Sequence, residues 1–193
     1  MTHAPSFSRE TLVETLTELA GSVGLHETTV DLALYGPACL MLATNLYTTV
    51  TTIDAVAVEG QLQVDQAVAQ MAGKHGWPSN WMTDRIRTHL NRRVEPPSHH
   101  LLMLRVPAAP LQRLRVFVPD WDYLLTLKVS ALTLSEPIDR KKQRELRYLM
   151  RVSAVHSAGD LDNLLTRYNS SPCEKRRMTA LAHAVWWQCA AAS

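Results

Sequence analysis

Apolar residues in this chain recur at helical spacing near both ends and gather into short continuous runs in the middle. Thr11, Leu12, Leu16 and Leu19 follow Ser8 at helical spacing. Ser8 is placed to cap and Gly21 to stop, which predicts a first helix leaning a narrow apolar stripe on a core. Val30 to Tyr35 is a continuous apolar run with one acid, Asp31, near its start, and predicts a buried strand. Gly36-Pro37 breaks that run. Proline is tolerated in a first helical turn, where its missing N–H has no partner, so Ala38 to Leu46 predicts a helix that is apolar nearly all round. Thr48 to Val58 is dominated by β-branched residues and predicts a second strand. Leu62, Val64, Ala67, Val68 and Met71 mark an amphipathic helix closed by Gly73 and Gly76.

Trp77 and Trp81 flank a Pro-Ser-Asn turn, and a short helix is predicted over Trp81 to Leu90 with Ser79 or Asn80 as cap. Asn91 to His100, with Pro96-Pro97, predicts a loop. Leu101 to Val106 and Leu111 to Val118 predict a hairpin. In its second strand Arg113 and Arg115 alternate with Leu114 and Val116, giving one basic and one apolar face. Asp120 is placed to cap a helix whose Trp121, Leu124, Leu125, Lys128 and Ala131 share a face, and Pro137 ends it. Asp139 caps the next, a strongly basic helix with few apolar residues; Ser157 to Tyr168 predicts another; Ser171-Pro172 starts a last one through Trp186 and Trp187. Early strands and late helices make an α+β fold, a small mixed sheet with flanking helices followed by a helical C-terminal half. The predicted division is an α+β core over 1–118 and a helical region packed on it over 119–193.

Composition narrows the class. Of 193 residues 46% are hydrophobic and 20% charged, an ordinary globular balance that argues against a disordered chain. No apolar run approaches the roughly 18 residues that span a bilayer, and MTHAPSFSRE has neither a basic nor an apolar leader segment. Three cysteines (Cys39, Cys173 and Cys189) leave one unpaired in any disulfide scheme and form no Cys-x-x-Cys, so a reduced, cytoplasmic protein is expected. Net charge is +2, so the chain is not basic overall, yet its cations are grouped. Arg85, Arg87, Arg92 and Arg93 form one group, Arg140, Lys141, Lys142, Arg144, Arg147 and Arg151 a second, and Lys175, Arg176 and Arg177 a third. Such runs are ordinarily solvated faces; the sharper reading is a basic stripe for RNA, DNA or an acidic protein.

Five segments in order resemble bacterial nucleotidyltransferase-like proteins of polymerase β-like fold, near the AbiEii toxin superfamily. Leu34-Tyr35-Gly36 resembles the first strand and its turn, and Thr51-Thr52-Ile53-Asp54 the Thr-x-Asp-Ile-Asp strand. His75 to Met82 resembles the Gly-Leu-Pro-x-Asp-Trp-Leu-Asn segment. Pro119 to Ala131 resembles the Pro-x-x-Leu-Leu-Ala-x-Lys-x-x-Ala helix, and Glu145 to Leu149 the helix after it. The resemblance implies Asp54 as catalytic carboxylate and metal ligand, and Gly36 and Lys128 as contacts to a nucleotide. It also implies a toxin–antitoxin or defence setting with a protein or RNA partner.

Chemistry of this kind uses two divalent ions clamping the attacking and leaving oxygens, which repel each other by roughly 16 kcal/mol when bare. The family meets that repulsion with two carboxylates at i and i+2 on one strand face and a third on a later strand. Here Thr52 stands at the first position, Arg113 and Arg115 occupy the later strand, and Pro37 removes a backbone donor beside Gly36. A catalytically degenerate protein that works by binding is therefore expected. The binding residues would be Arg113, Arg115, Arg140, Lys141, Lys142, Arg144 and Arg147. No cofactor is expected for it, whereas an active enzyme would use Mg2+ and a nucleoside triphosphate. Two alternatives stand beside it. One is an active nucleotidyltransferase modifying RNA or protein, with Asp54 joined by Asp31 or Asp120. The other is an interaction protein docking through the C-terminal helix with Trp186 and Trp187. The plainer readings are Asp54 as a strand-end turn residue, Lys128 as a snorkelling side chain and Trp77 and Trp81 as core; His89, His99 and His100 have no metal-ligand spacing.

Overall fold

The computed structural model describes residues 4–23, 29–58, 60–90, 98–106, 113–132, 134, 137–168 and 172–190. The fold is α+β, and the chain divides into two compact units: one holds the sheet and the first three helices, the other takes in His89–Val94 with Asp120–Ser193 and is helical from Asp120 on.

In the first unit, α1 (Arg9–Val23) is started by a reciprocal cap. The Thr11 N–H donates to Ser8 Oγ at 3.2 Å and the Ser8 N–H donates to Thr11 Oγ1 at 2.8 Å. The helix does not stop at Gly21. Burial of Ala20 and Val23 carries it onward, outweighing a glycine penalty of about 1 kcal/mol. The central strand β1 (Val30–Tyr35) is followed at once by α2 (Gly36–Ala43), which takes in Gly36 and Pro37 and ends where Thr44 turns its N–H and hydroxyl onto Leu40 O. Strand β2 (Ile53–Ala57) is shorter than the β-branched run suggests. Thr51 and Thr52 are exposed, and Val50 instead bridges Phe7 through two backbone bonds of 2.8 and 2.9 Å. Helix α3 (Gln61–His75) turns Val64, Ala67, Val68, Met71 and Ala72 inward.

The helix expected over Trp81 to Leu90 is absent. Met82–Thr83 is instead a two-residue strand, β3, parallel to β2, followed by a 3-10 turn at Arg85–His89. The open edge of β2 has donors to satisfy, and the Ile53 N–H finds Trp81 O at 2.9 Å. So short a strand has no period to display in sequence. The hairpin of β4 (His100–Val106) and β5 (Leu114–Pro119) forms as predicted; the residues of its turn lie outside the described set, as does most of the expected loop before it. The sheet order is β3-β2-β1-β5-β4, with β1 antiparallel to β2 and parallel to β5.

The second unit is α4 (Trp121–Ser130), α5 (Arg140–Val152), α6 (Ala158–Tyr168) and α7 (Pro172–Ala190). Asp120 caps α4 by accepting the Tyr123 N–H at 2.8 Å, and Asp139 caps α5 by accepting the Lys142 N–H at 2.8 Å. Its core is built from Leu124, Leu125, Leu146, Leu149, Leu161, Leu165, Leu181 and Val185. Among the described residues no helix is long and apolar enough to cross a membrane.

Candidate functional site

The register of the sheet sets Asp54 opposite Tyr35 on β1 and beside Thr83 on β3. Residues paired across strands share a face, so Thr83, Asp54 and Tyr35 form a row at one end of the sheet. Thr83 donates its hydroxyl to Asp54 Oδ1 at 3.0 Å. The Tyr35 phenol meets His100 Nε2 on β4 at 2.9 Å, and His100 Nδ1 lies 2.6 Å from Ser98 O. A carbonyl only accepts, so Nδ1 carries the proton, and in the neutral ring Nε2 is left to accept from Tyr35.

Gly36 begins α2 directly beneath this row. Its φ is +61°, and a Cβ there would stand 2.8 Å from Asp54 Oδ2. Only glycine both adopts that conformation and leaves room for the carboxylate. Gly36 and Asp54, 18 positions apart in sequence, are thus brought together.

A pair of magnesium ions needs more than this row offers. Asp31 does not help. It sits four residues along β1 from Tyr35, about 13 Å at strand rise, toward the other end of the ladder. There Arg115 on the neighbouring β5 holds it through Nε–Oδ1 at 2.5 Å and a second bond to Oδ2 at 2.6 Å. The bonded carboxylate raises the Arg115 pKa, against the opposing effect of burial. Asp120 serves as the cap of α4. Among the described residues no group of three or more His, Cys, Asp or Glu could hold a metal ion. One carboxylate, already accepting a hydroxyl, beside threonine and tyrosine does not fit a two-ion centre.

The remaining expected site residues are dispersed. The basic face expected on β5 is partly spent: Arg115 is paired with Asp31, its row-mate Phe117 is buried, and Arg113 lies just before the strand, half-exposed. Lys128 in α4 bonds Glu145 Oε2 in α5, with its side chain only 21% exposed, so it does not snorkel into water. Burial pushes the Glu145 carboxyl up to about 7. Arg177 ties down the end of α4 by donating to Ser130 O and Leu132 O at 3.0 and 3.1 Å. Arg87 is held by Gln61 Oε1 at 2.8 Å, while Arg92 and Arg93 lie outside the described residues. Helix α5 gathers its cations. Arg140, Gln143, Arg144 and Arg147 line one cavity of about 410 Å³, and Lys141 and Lys142 are exposed beside them.

Nothing in the sequence pattern singled out Thr83 or Tyr35 as neighbours of Asp54, or His100 as the partner of Tyr35. Tyr35 sits within the Leu-Tyr-Gly segment, but the pairing of β3 and the reach of β4 had no sequence signal. Comparison with protein-family models, curated proteins and solved structures returns no significant match.

Proposed function

We propose that this chain is a nucleotidyltransferase-like protein whose metal site has degenerated and which acts by binding a nucleic-acid or protein partner in the cytoplasm. The observation carrying this reading is that, among the described residues, Asp54 is the one carboxylate of its row. Its row supplies Thr83 and Tyr35 where two-ion chemistry needs carboxylates, and Asp31 is committed to Arg115. The Gly36–Asp54 contact supports descent from an active-site turn, since it keeps a glycine and an acid together at the head of α2. By resemblance the partner belongs to a toxin–antitoxin or defence setting.

The test is transfer of labelled nucleotide to RNA and to protein in Mg2+ or Mn2+, with wild type and Asp54→Asn side by side. The expected result is no label above background in either. Metal-dependent labelling by the wild type that Asp54→Asn abolishes would overturn the proposal and establish an active nucleotidyltransferase.

A further inference from the structure

The cations of α5 are placed against the preferences of the helix that carries them. Its first turn holds no acid and is occupied by Arg140, Lys141 and Lys142, with Arg144 close behind. A helix N-terminus is the positive end of the backbone dipole, where cations are disfavoured and acids favoured. Arg140 and Arg144, then Arg147 and Arg151, are like charges at i,i+4, which repel. Asp139 offsets some of this, through its cap and an ion pair of 3.4 Å with Lys142. Local electrostatics sacrificed in this way marks a surface kept for something other than stability.

Arg140, Arg144 and Arg147 follow one another over about 10 Å of helix axis, a reach that covers successive phosphates of a nucleic-acid strand. Between them Gln143 donates its amide to Ile138 O at 2.8 Å, so it is not spare to read a base edge. Arg147 is fixed by its Nε bond of 2.7 Å to Cys189 O, at the end of α7. The same end of α7 offers a second feature. Gln188 Oε1 accepts the Ile138 N–H at 2.8 Å, which seats this turn of α7 beside the start of α5. The adjacent residue, Trp187, is 67% exposed, the most exposed large apolar side chain among the described residues. A row of guanidiniums tracking a backbone, with an open indole on a neighbouring helix, is the pairing that binds single strands: charge for phosphates and an aromatic face for an unpaired base. A duplex, its bases already stacked and paired, offers that indole no free base face.

We infer that Arg140, Arg144 and Arg147 of α5, with Trp187 of α7, form a binding site for single-stranded nucleic acid. This rests on the reading of the chain as a binding protein, and it names the partner.

The experiment is fluorescence anisotropy of the full chain with a short labelled oligouridine and its deoxythymidine counterpart, over a series of salt concentrations. A duplex and a polyglutamate peptide of matched length serve as competitors. Wild type binds a single strand, with log affinity falling against log salt at a slope of about −2, as three neutralised phosphates require. Arg144→Ala lowers that slope by about 0.7. Trp187→Ala weakens binding roughly tenfold while leaving the slope unchanged, because stacking releases no counterions. Preference between the two oligonucleotides tells RNA from DNA. Arg140 and Arg144 are exposed, so their alanine variants keep the wild-type circular dichroism spectrum. No binding of either strand at low salt, wild-type affinity in the Arg140→Ala/Arg144→Ala variant, or equal displacement by polyglutamate would overturn the inference. Each of those outcomes leaves the transfer assay on Asp54 standing, so the two readings fail separately.

Discussion

Asp54 Oδ2 occupies the space that any side chain on Gly36 would need, 2.8 Å from the position of its Cβ. The contact explains why a left-handed residue can stand at the head of α2 and why that residue is glycine. Two independent costs therefore attach to one position: the φ of +61° and the collision with the carboxylate.

Gly36→Ala is expected to destabilise the protein by about 2 kcal/mol, the left-handed penalty plus displacement of the carboxylate. Placing the same change in an Asp54→Ala background removes the collision and leaves only the backbone cost of about 1 kcal/mol. Urea unfolding of the four proteins measures both parts, and additive effects would show that the two residues do not press on each other.

Much of the architecture was readable from periodicity. The capped helices α1, α4 and α5, the strands β1, β4 and β5, and the sheet-then-helices order follow from apolar spacing and from Ser8, Asp120 and Asp139 standing where caps belong. What failed depended on partners distant in sequence. Thr48 to Thr52 is β-branched, yet no strand lies beside most of it, so β2 begins only at Ile53. Trp81 to Leu90 has helical composition, yet the unsatisfied edge of β2 draws Met82–Thr83 into the sheet. The same limit held at the site. The Asp54–Gly36 neighbourhood was legible from strand–turn–helix–strand order, whereas the Lys128–Glu145 and Arg115–Asp31 pairs join cations to acids 17 and 84 positions away.

Lys128 and Glu145 give the second helical unit a pH dependence. The Glu145 carboxyl is buried and pushed from 4.5 up to about 7. The folded state then binds this proton more tightly than the unfolded chain does. The stability it contributes is fully present below about pH 4.5 and is lost as pH rises through about 7, on the order of 2 kcal/mol once the nearby Lys128 ammonium is allowed for. Lys128→Met removes the group that offsets the buried anion, so its cost should be small at pH 5 and grow toward about 3 kcal/mol at pH 8. Chemical denaturation at the two pH values checks the sign. A cost that shrinks with rising pH would contradict it.

Arg115 tests whether an arginine in a basic-looking strand is a binding residue. Its fork is committed to Asp31 with both bonds formed, and its side chain is 41% exposed, so the pair is worth no more than about 1 kcal/mol and weakens with salt. Arg115→Lys loses the bidentate geometry and is expected to behave like Arg115→Ala in thermal unfolding. Neither change should alter oligonucleotide affinity, in contrast to Arg144→Ala. Loss of binding on removing Arg115 would move the interface from α5 to the sheet.

Trp81 and Trp187 have the same side chain and opposite roles. Trp81 is fully buried; its ring lies 5.1 Å from that of Trp77 and 5.9 Å from that of Phe7, and its Nε1–H donates to Val68 O at 3.1 Å. It joins α3 to the strand edge where β3 starts, so Trp81→Ala opens a cavity beneath that edge and should cost about 3–5 kcal/mol. Trp81→Phe keeps most of the volume but loses the hydrogen bond, for about 1 kcal/mol plus a packing defect. Trp187→Ala removes an indole that is already two-thirds in water, and its unfolding midpoint should stay within about 0.5 kcal/mol of wild type. The same three variants, measured for stability and for single-strand affinity, should separate cleanly. The Trp81 changes lower the midpoint and, in the fraction still folded, leave affinity intact, whereas Trp187→Ala does the reverse. A Trp187 variant that loses stability and affinity together would mean that its indole packs into the helical unit rather than meeting a base.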